Sequence, residues 1–299
     1  MNNEQRGLPL IAPTDVPLGW VESEPIEKYH EDWRALSSSA IRRDCKSAKT
    51  FRARWLKPPE EEERMRLGSL AHLAILEPKS FREKYVVMPE FVGMTKDGRP
   101  SAQSKEAKEK RAEWIASLPP GSIVVTEDEL SRLTGMVEAV LAHETASQII
   151  RTSLPEVTGY FVDKETGLYQ KIRPDLLARN RLSVTELKTT GNVEAWSFAA
   201  EIVRMGYHIQ LAAYSAGIQA IDGSLPKYQN IIAVEDKEPY EVAVYVLDDA
   251  VSGLGMGTYR QRIRMIAEAI RTGRFNGYQS QAQNIGAPGW ALYDESLAV

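Results

Sequence analysis

A single cysteine, Cys45, stands among 299 residues, which rules out an intrachain disulfide framework and any zinc or iron–sulfur site built from cysteines. Long apolar runs are missing too: none approaches the ~18 residues that a membrane span requires. The opening residues, MNNEQRGLPL, lack a basic segment followed by an apolar one, so no signal peptide is expected. There is also no excess of positive charge. With 37 Lys and Arg against 41 Asp and Glu, the net charge is −4 and the pI about 5.8. Proteins that bind nucleic acid non-specifically are usually basic overall, so the global balance counts against that partner. It leaves room for a local basic channel within an acidic protein. These absences describe a soluble protein, expected in the cytoplasm.

What is present suits a large folded domain. At 43% hydrophobic and 26% charged, the chain can bury a substantial core in one domain, or two at most. Residues 1–30, rich in Pro, Glu and Asn without periodicity, read as a loosely held arm. Ser37-Ser38-Ser39 can cap a helix over about 40–56, which Pro58-Pro59 would end. A second helix, about 62–76, is apolar nearly all round and therefore expected to be buried, with His72 in its middle and Pro78 as its stop. Residues 92–104 read as a mobile loop, followed by helices at about 102–117 and 126–151.

The middle of the chain changes character. Val157–Val162, Tyr169–Leu177 and Leu182–Thr189 read as three strands of an antiparallel meander. Helical pattern returns at about 193–220, broken near Gly206, then strands at 228–234 and 240–247 and a helix over 249–272. From residue 276 onward the chain is a Gln-, Gly- and Pro-rich tail. The order implies an α+β or mixed-sheet α/β domain at 31–275, flanked by the arm 1–30 and the tail 276–299.

Within that domain, Asp175 ends one strand, and eleven positions on Glu186-Leu187-Lys188 lies within the next. Paired as a hairpin, the two carboxylates share a neighbourhood, and alternation puts Glu186 and Lys188 on one side with Leu187 on the other. Desolvated like charges need a counter-charge. A divalent cation with oxygen ligands, Mg²⁺ or Mn²⁺, is the natural one, and the Leu187 carbonyl could add a ligand. Lys188 beside it could orient or deprotonate an attacking water. These parts suffice for phosphodiester hydrolysis. The same spacing also arises on solvated strand edges; Pro174 before the Asp and the apolar Val184 and Leu187 set this instance apart.

Pro174-Asp175 … Glu186-Leu187-Lys188 matches the PD-(D/E)XK nuclease signature, and its surroundings narrow the match. Leu36-Ser37-Ser38-Ser39, Gly68-Ser69-Leu70-Ala71-His72, Leu76-Glu77-Pro78, Tyr85–Pro89, Glu156, Lys171–Asp175 and Gln210-x-x-x-Tyr214 come in an order that resembles the exonuclease VIII (RecE-type) family of phage and prophage recombination nucleases, over roughly 28–250. The resemblance implies a restriction-endonuclease-like core, a mixed sheet flanked by helices. It implies that His72, Asp175, Glu186 and the Leu187 carbonyl hold Mg²⁺, with Mn²⁺ a possible substitute, and that Lys188 attends the water. Gln210 and Tyr214, four apart on one helix face, would help place Lys188 or the DNA backbone, and Glu156 would stand near the metal.

The implied activity is 5′→3′ digestion of one strand of linear duplex DNA, leaving a 3′ single strand for recombination. A ring-shaped homo-oligomer and a single-strand annealing protein as partner are implied with it. Arg42, Arg43, Arg52, Arg54, Lys57, Lys96 and Arg99 are candidates to line the DNA path. Arg173 either contacts phosphate or balances charge near Asp175. His30, His143 and His208 have no comparable support and read as ordinary structural histidines. Two other readings stand beside this one: an endonuclease of the same superfamily, and a catalytically silent DNA-binding protein on that fold.

Overall fold

The computed structural model describes residues 7–43, 45–57, 63–278 and 281–287. The Pro58-Pro59 stop lies outside them, as do the first residues of the arm and much of the tail. Among the described residues two sheets dominate. A five-stranded sheet runs in the order Val242–Val246, Tyr228–Glu235, Ser183–Thr190, Leu176–Ala178, Ser153–Pro155. Its central pair, Ser183–Thr190 with Tyr228–Glu235, is parallel and the other three pairs are antiparallel, so the sheet is mixed as expected. A four-stranded sheet orders Gly19–Val21, Thr158–Val162, Tyr169–Ile172 and Leu36–Ser37.

The expected strand over 169–177 is two strands in two sheets. Tyr169–Ile172 belongs to the four-stranded sheet and Leu176–Ala178 to the five-stranded one. Pro174 has no N–H to give to a ladder, so pairing ends there and the chain crosses between the sheets. Asp175 therefore stands just before a strand, not at the end of one. The Leu176–Ala178 and Ser183–Thr190 pair is the expected hairpin, with Leu176 opposite Thr185.

Strand Ser183–Thr190 divides the core. Leu187 and Leu176 pack with helices Glu63–Leu76 and Glu127–Ala142 on one face. Val184 and Leu177 pack with helices Ala195–Met205 and Tyr207–Asp222 on the other. Tyr207–Asp222 is buried along most of its length, because the long helix Asp249–Thr272 covers its back. Gly206, with φ +72°, makes the break between its two neighbouring helices, a conformation natural to glycine.

Three helices differ from expectation. The segment 40–56 is two helices, Ser38–Arg43 and Ala48–Leu56, because Ser47 caps the second by accepting from Thr50 N at 3.1 Å. The segment 126–151 breaks at His143, whose Nδ1 accepts from Ala146 N at 3.2 Å and starts helix Glu144–Thr152. Pro78 ends one helix and, at the first turn of another, starts Pro78–Lys84. Within the expected arm, Gly19–Val21 pairs with Thr158–Val162 and Ile26–Glu31 is a short helix. No helix among the described residues is long and apolar enough to cross a membrane.

Candidate active site

Register builds the site. Pro155 lies opposite Leu176, and Leu176 opposite Thr185. One step further along the same ladders, Glu156 is opposite Asp175 and Asp175 opposite Glu186. Three carboxylates thus form a row across neighbouring strands spaced about 5 Å apart. Main-chain and side-chain bonds tie the row together: Glu156 N donates to Asp175 O at 3.1 Å, and Leu187 N donates to Asp175 Oδ2 at 2.7 Å. Glu156, like Asp175, sits where the chain crosses between sheets, and its φ of +52° is left-handed.

A helix lays His72 over this row. Gly68, one turn earlier on the same face, comes so close to the sheet that a Cβ there would meet Thr189 Oγ1 at 3.2 Å. That approach lets His72 Nδ1 reach within 3.4 Å of Asp175 Oδ2. Ligand atoms of His72, Glu156 and Asp175 all lie within 4.8 Å of one another, a spacing that a single cation can bridge. Glu186 is not part of that trio. Its Oε2 accepts from Lys188 Nζ, while its Oε1 is buried without a hydrogen-bond donor among the described residues.

Lys188 is only 13% exposed and its Nζ stands 5.3 Å from the centre of the Tyr207 ring. Over that ring from elsewhere lies Arg42, at 5.5 Å, so Arg42 borders the site. Gln210 Nε2 donates to the Tyr214 hydroxyl at 2.7 Å, and Gln210 Oε1 is buried with no donor. Both residues belong to the buried helix packed on the Glu186 side of the sheet.

The protonation energetics are those of an anionic cluster short of positive charge. Burial and the Asp175 charge push Glu156 up to about 7, against the pull of Arg173. Burial and Asp175 likewise raise Glu186, with Lys188 opposing. Burial would also raise Asp175, but the His72 and Lys188 charges outweigh it and hold this carboxyl low. Burial opposes charge on His72, yet Asp175 more than compensates and raises the imidazole. Extra counter-charge placed here would be strongly favoured.

Several expected residues stand apart. Arg173 balances charge: its Nε donates to Glu156 at 2.7 Å and its Nη1 to Glu24 O at 2.8 Å and Thr158 Oγ1 at 3.0 Å, which leaves the side chain 8% exposed. His208 is buried with Nδ1 3.1 Å from Ile202 O, a structural role like that of His143. Lys96 and Arg99 are exposed on the turn between Gly93–Met94 and Pro100–Ser101. Arg52 stacks over Phe275 at 4.9 Å. Two contributors escaped the sequence: Tyr207 beside Lys188, and Tyr29, over whose ring Arg173 and Lys171 lie. No motif or periodicity marks either.

Comparison with known proteins bears on the fold and the family. A structure from Eubacterium rectale, named as a candidate exonuclease, superposes with a TM-score of 0.57 at 10% identity, over 92% of this chain and 98% of its own. A phage-related exonuclease from Haemophilus somnus 129PT matches 62% of this chain and 93% of its own at 11% identity, with a TM-score of 0.32. An alkaline exonuclease from Laribacter hongkongensis matches 58% and 87% at 16% identity, with a TM-score of 0.24. Only the first is similar enough to speak for a shared fold. No curated protein matches the sequence. A family model described as a PDDEXK-like domain of unknown function, DUF3799, matches residues 37–285, and the chain belongs to that family.

Proposed function

We propose that the protein is a Mg²⁺-dependent deoxyribonuclease that digests one strand of linear duplex DNA from its 5′ end. The observation that carries the hydrolytic part is the row Glu156, Asp175, Glu186 with His72 above it and Lys188 beside it. These residues fit a divalent cation. Two buried carboxylates and the half-buried Glu156 face only two permanent cations, the His72, Glu156 and Asp175 ligand atoms converge, and Glu186 Oε1 has no donor among the described residues. His72, Glu156 and Asp175 would hold the ion, with Glu186 and the Leu187 carbonyl as further ligands. When bound, it supplies charge stabilisation to the phosphate under attack.

The chain's own residues do the rest. Lys188, pinned between the Glu186 carboxylate and the Tyr207 ring, is placed to orient the attacking water and take up or release its proton. Asp175, held low, stays ionised across the neutral range. The Gln210–Tyr214 pair stiffens the wall beside Glu186 and Lys188, and Gln210 Oε1 is free to accept from water or substrate. Arg42, which shares the Tyr207 ring with Lys188, is the best placed of the basic residues to meet a DNA phosphate.

End-dependence and 5′→3′ polarity rest on the resemblance to recombination exonucleases, as do the ring oligomer and the single-strand annealing partner. Linear duplex labelled at either 5′ or 3′ ends is incubated with Mg²⁺ alongside a closed circle, for wild type and Lys188→Ala. Loss of the linear form alone, 5′ label first, abolished by the substitution, is the expected result. Cleavage of the circle would replace this reading with an endonuclease. No cleavage of either DNA, with Mg²⁺ or Mn²⁺, would leave a DNA-binding protein.

A further inference from the structure

Tyr29 comes from helix Ile26–Glu31, far ahead in sequence of every residue in the motif, yet it is buried against the site. Lys171 Nζ lies 4.4 Å from its ring centre and the Arg173 guanidinium carbon 5.8 Å. Lys171 also donates to the main-chain carbonyls of Tyr29 and, at 2.8 Å, Asp32. Two buried cations therefore fix both the backbone and the ring of one tyrosine. One of them, Arg173, is the cation that grips Glu156. A single residue thus separates Tyr29 from the carboxylate row.

No hydrogen bond joins the Tyr29 hydroxyl to another described residue, and the hydroxyl is not among the sealed polar atoms that lack a partner, so it keeps an open side. Glu156 is held by Arg173 and one oxygen of Glu186 by Lys188, and neither carboxylate accepts from the Tyr29 hydroxyl. Burial raises the phenol pKa, and the nearby Glu156, Glu24 and Glu186 charges raise it further against Arg173, so the group stays a neutral donor. A phosphate oxygen arriving at the row from outside would be an acceptor of the right charge. Resting on the nuclease reading above, we propose that Tyr29 is a further catalytic residue, donating a hydrogen bond to a non-bridging oxygen of the phosphate being cleaved. Its ring is oriented before substrate arrives, which is the condition under which such a donor is most effective.

Tyr29→Phe removes only the hydroxyl and keeps both cation contacts, so the melting temperature should match wild type. Turnover on linear DNA should fall about ten- to a hundred-fold, the worth of a hydrogen bond to a charged acceptor. KM should change little, because most DNA affinity comes from other backbone contacts. In parallel, calorimetry with thymidine 5′-monophosphate in Mg²⁺ should show weaker binding to the variant, with thymidine as the control. Wild-type turnover in Tyr29→Phe overturns the proposal. If wild type itself digests no DNA, the nuclease reading falls and the nucleotide titration decides Tyr29 alone: weaker binding in the variant supports a phosphate donor, equal binding ends it.

Discussion

Glu156 shows how much one residue is asked to hold. A left-handed backbone costs a non-glycine residue about 1–2 kcal/mol, and here it also places a carboxylate in a buried row. Arg173 offsets this with an ion pair and two further hydrogen bonds. Replacing Arg173 by Met should destabilise the metal-free protein by about 3 kcal/mol in urea denaturation, since it strands a buried charge. Glu156→Gln should leave the fold intact and weaken Mn²⁺ binding at least ten-fold by calorimetry, the scale on which metal sites respond to loss of a supporting group. Undiminished Mn²⁺ affinity in Glu156→Gln would remove Glu156 from the ligand set. Asp175, Glu186 and Lys188 were legible because a hairpin brings them together locally. Glu156 and His72 were reached only through family resemblance. Tyr29 left no signal, because its partners Lys171 and Arg173 lie far along the chain, at the end of a strand and just beyond it, and its six-residue helix is too short for periodicity.

Two elements do most of the positioning: the sheet crossing at Arg173-Pro174-Asp175 and the helix Glu63–Leu76. Tyr169–Leu177 carries no glycine, asparagine or serine to mark a break beside Pro174, which is why two strands read as one. The proline's missing donor was the visible clue, and it is also what frees Asp175 from ordinary ladder geometry. The helix was legible as buried, and Gly68 explains its closeness to the sheet. Glycine within a helix costs up to about 1 kcal/mol relative to alanine. Gly68→Ala alone should be near neutral, because the new Cβ presses on Thr189 Oγ1. Adding Gly68→Ala to a Thr189→Ala background should instead stabilise by about 0.5–1 kcal/mol, the helix propensity gained once the obstacle is gone. Equal effects in both backgrounds, read by thermal denaturation, would mean that the contact does not set the helix position.

At the scale of the molecule, an acidic protein gathers three carboxylates against two permanent cations at one largely buried point. Glu156 rises from 4.5 to about 7, so the folded protein retains a proton there that the unfolded chain has lost. A carboxyl raised in this way contributes stability at low pH that disappears as pH climbs through its folded value. His72, also raised, acts in the same direction. The metal-free protein should therefore melt at a lower temperature at pH 8 than at pH 6. Mg²⁺ or Mn²⁺ at about a hundred times its Kd should raise the melting temperature by about 5–10 °C, and by more at pH 8. A metal-free protein whose stability rises from pH 6 to pH 8 would contradict the charge balance described for the row.

Fold class and the hairpin at the centre of the site were legible in the sequence; the two-sheet architecture was not, since it depends on strands paired across long separations. The central claim is that this row of acids hydrolyses DNA with a divalent cation. It is tested most directly by nucleotide release from linear duplex DNA as Mg²⁺ is titrated, for wild type and for Asp175→Asn of equal melting temperature. Asp175 touches His72 and Leu187 N and stands between Glu156 and Glu186 in the row, so its neutral isostere should reduce Mg²⁺-dependent release at least a thousandfold, about 4 kcal/mol of barrier. Release that needs no divalent cation, or that survives Asp175→Asn, would contradict the account.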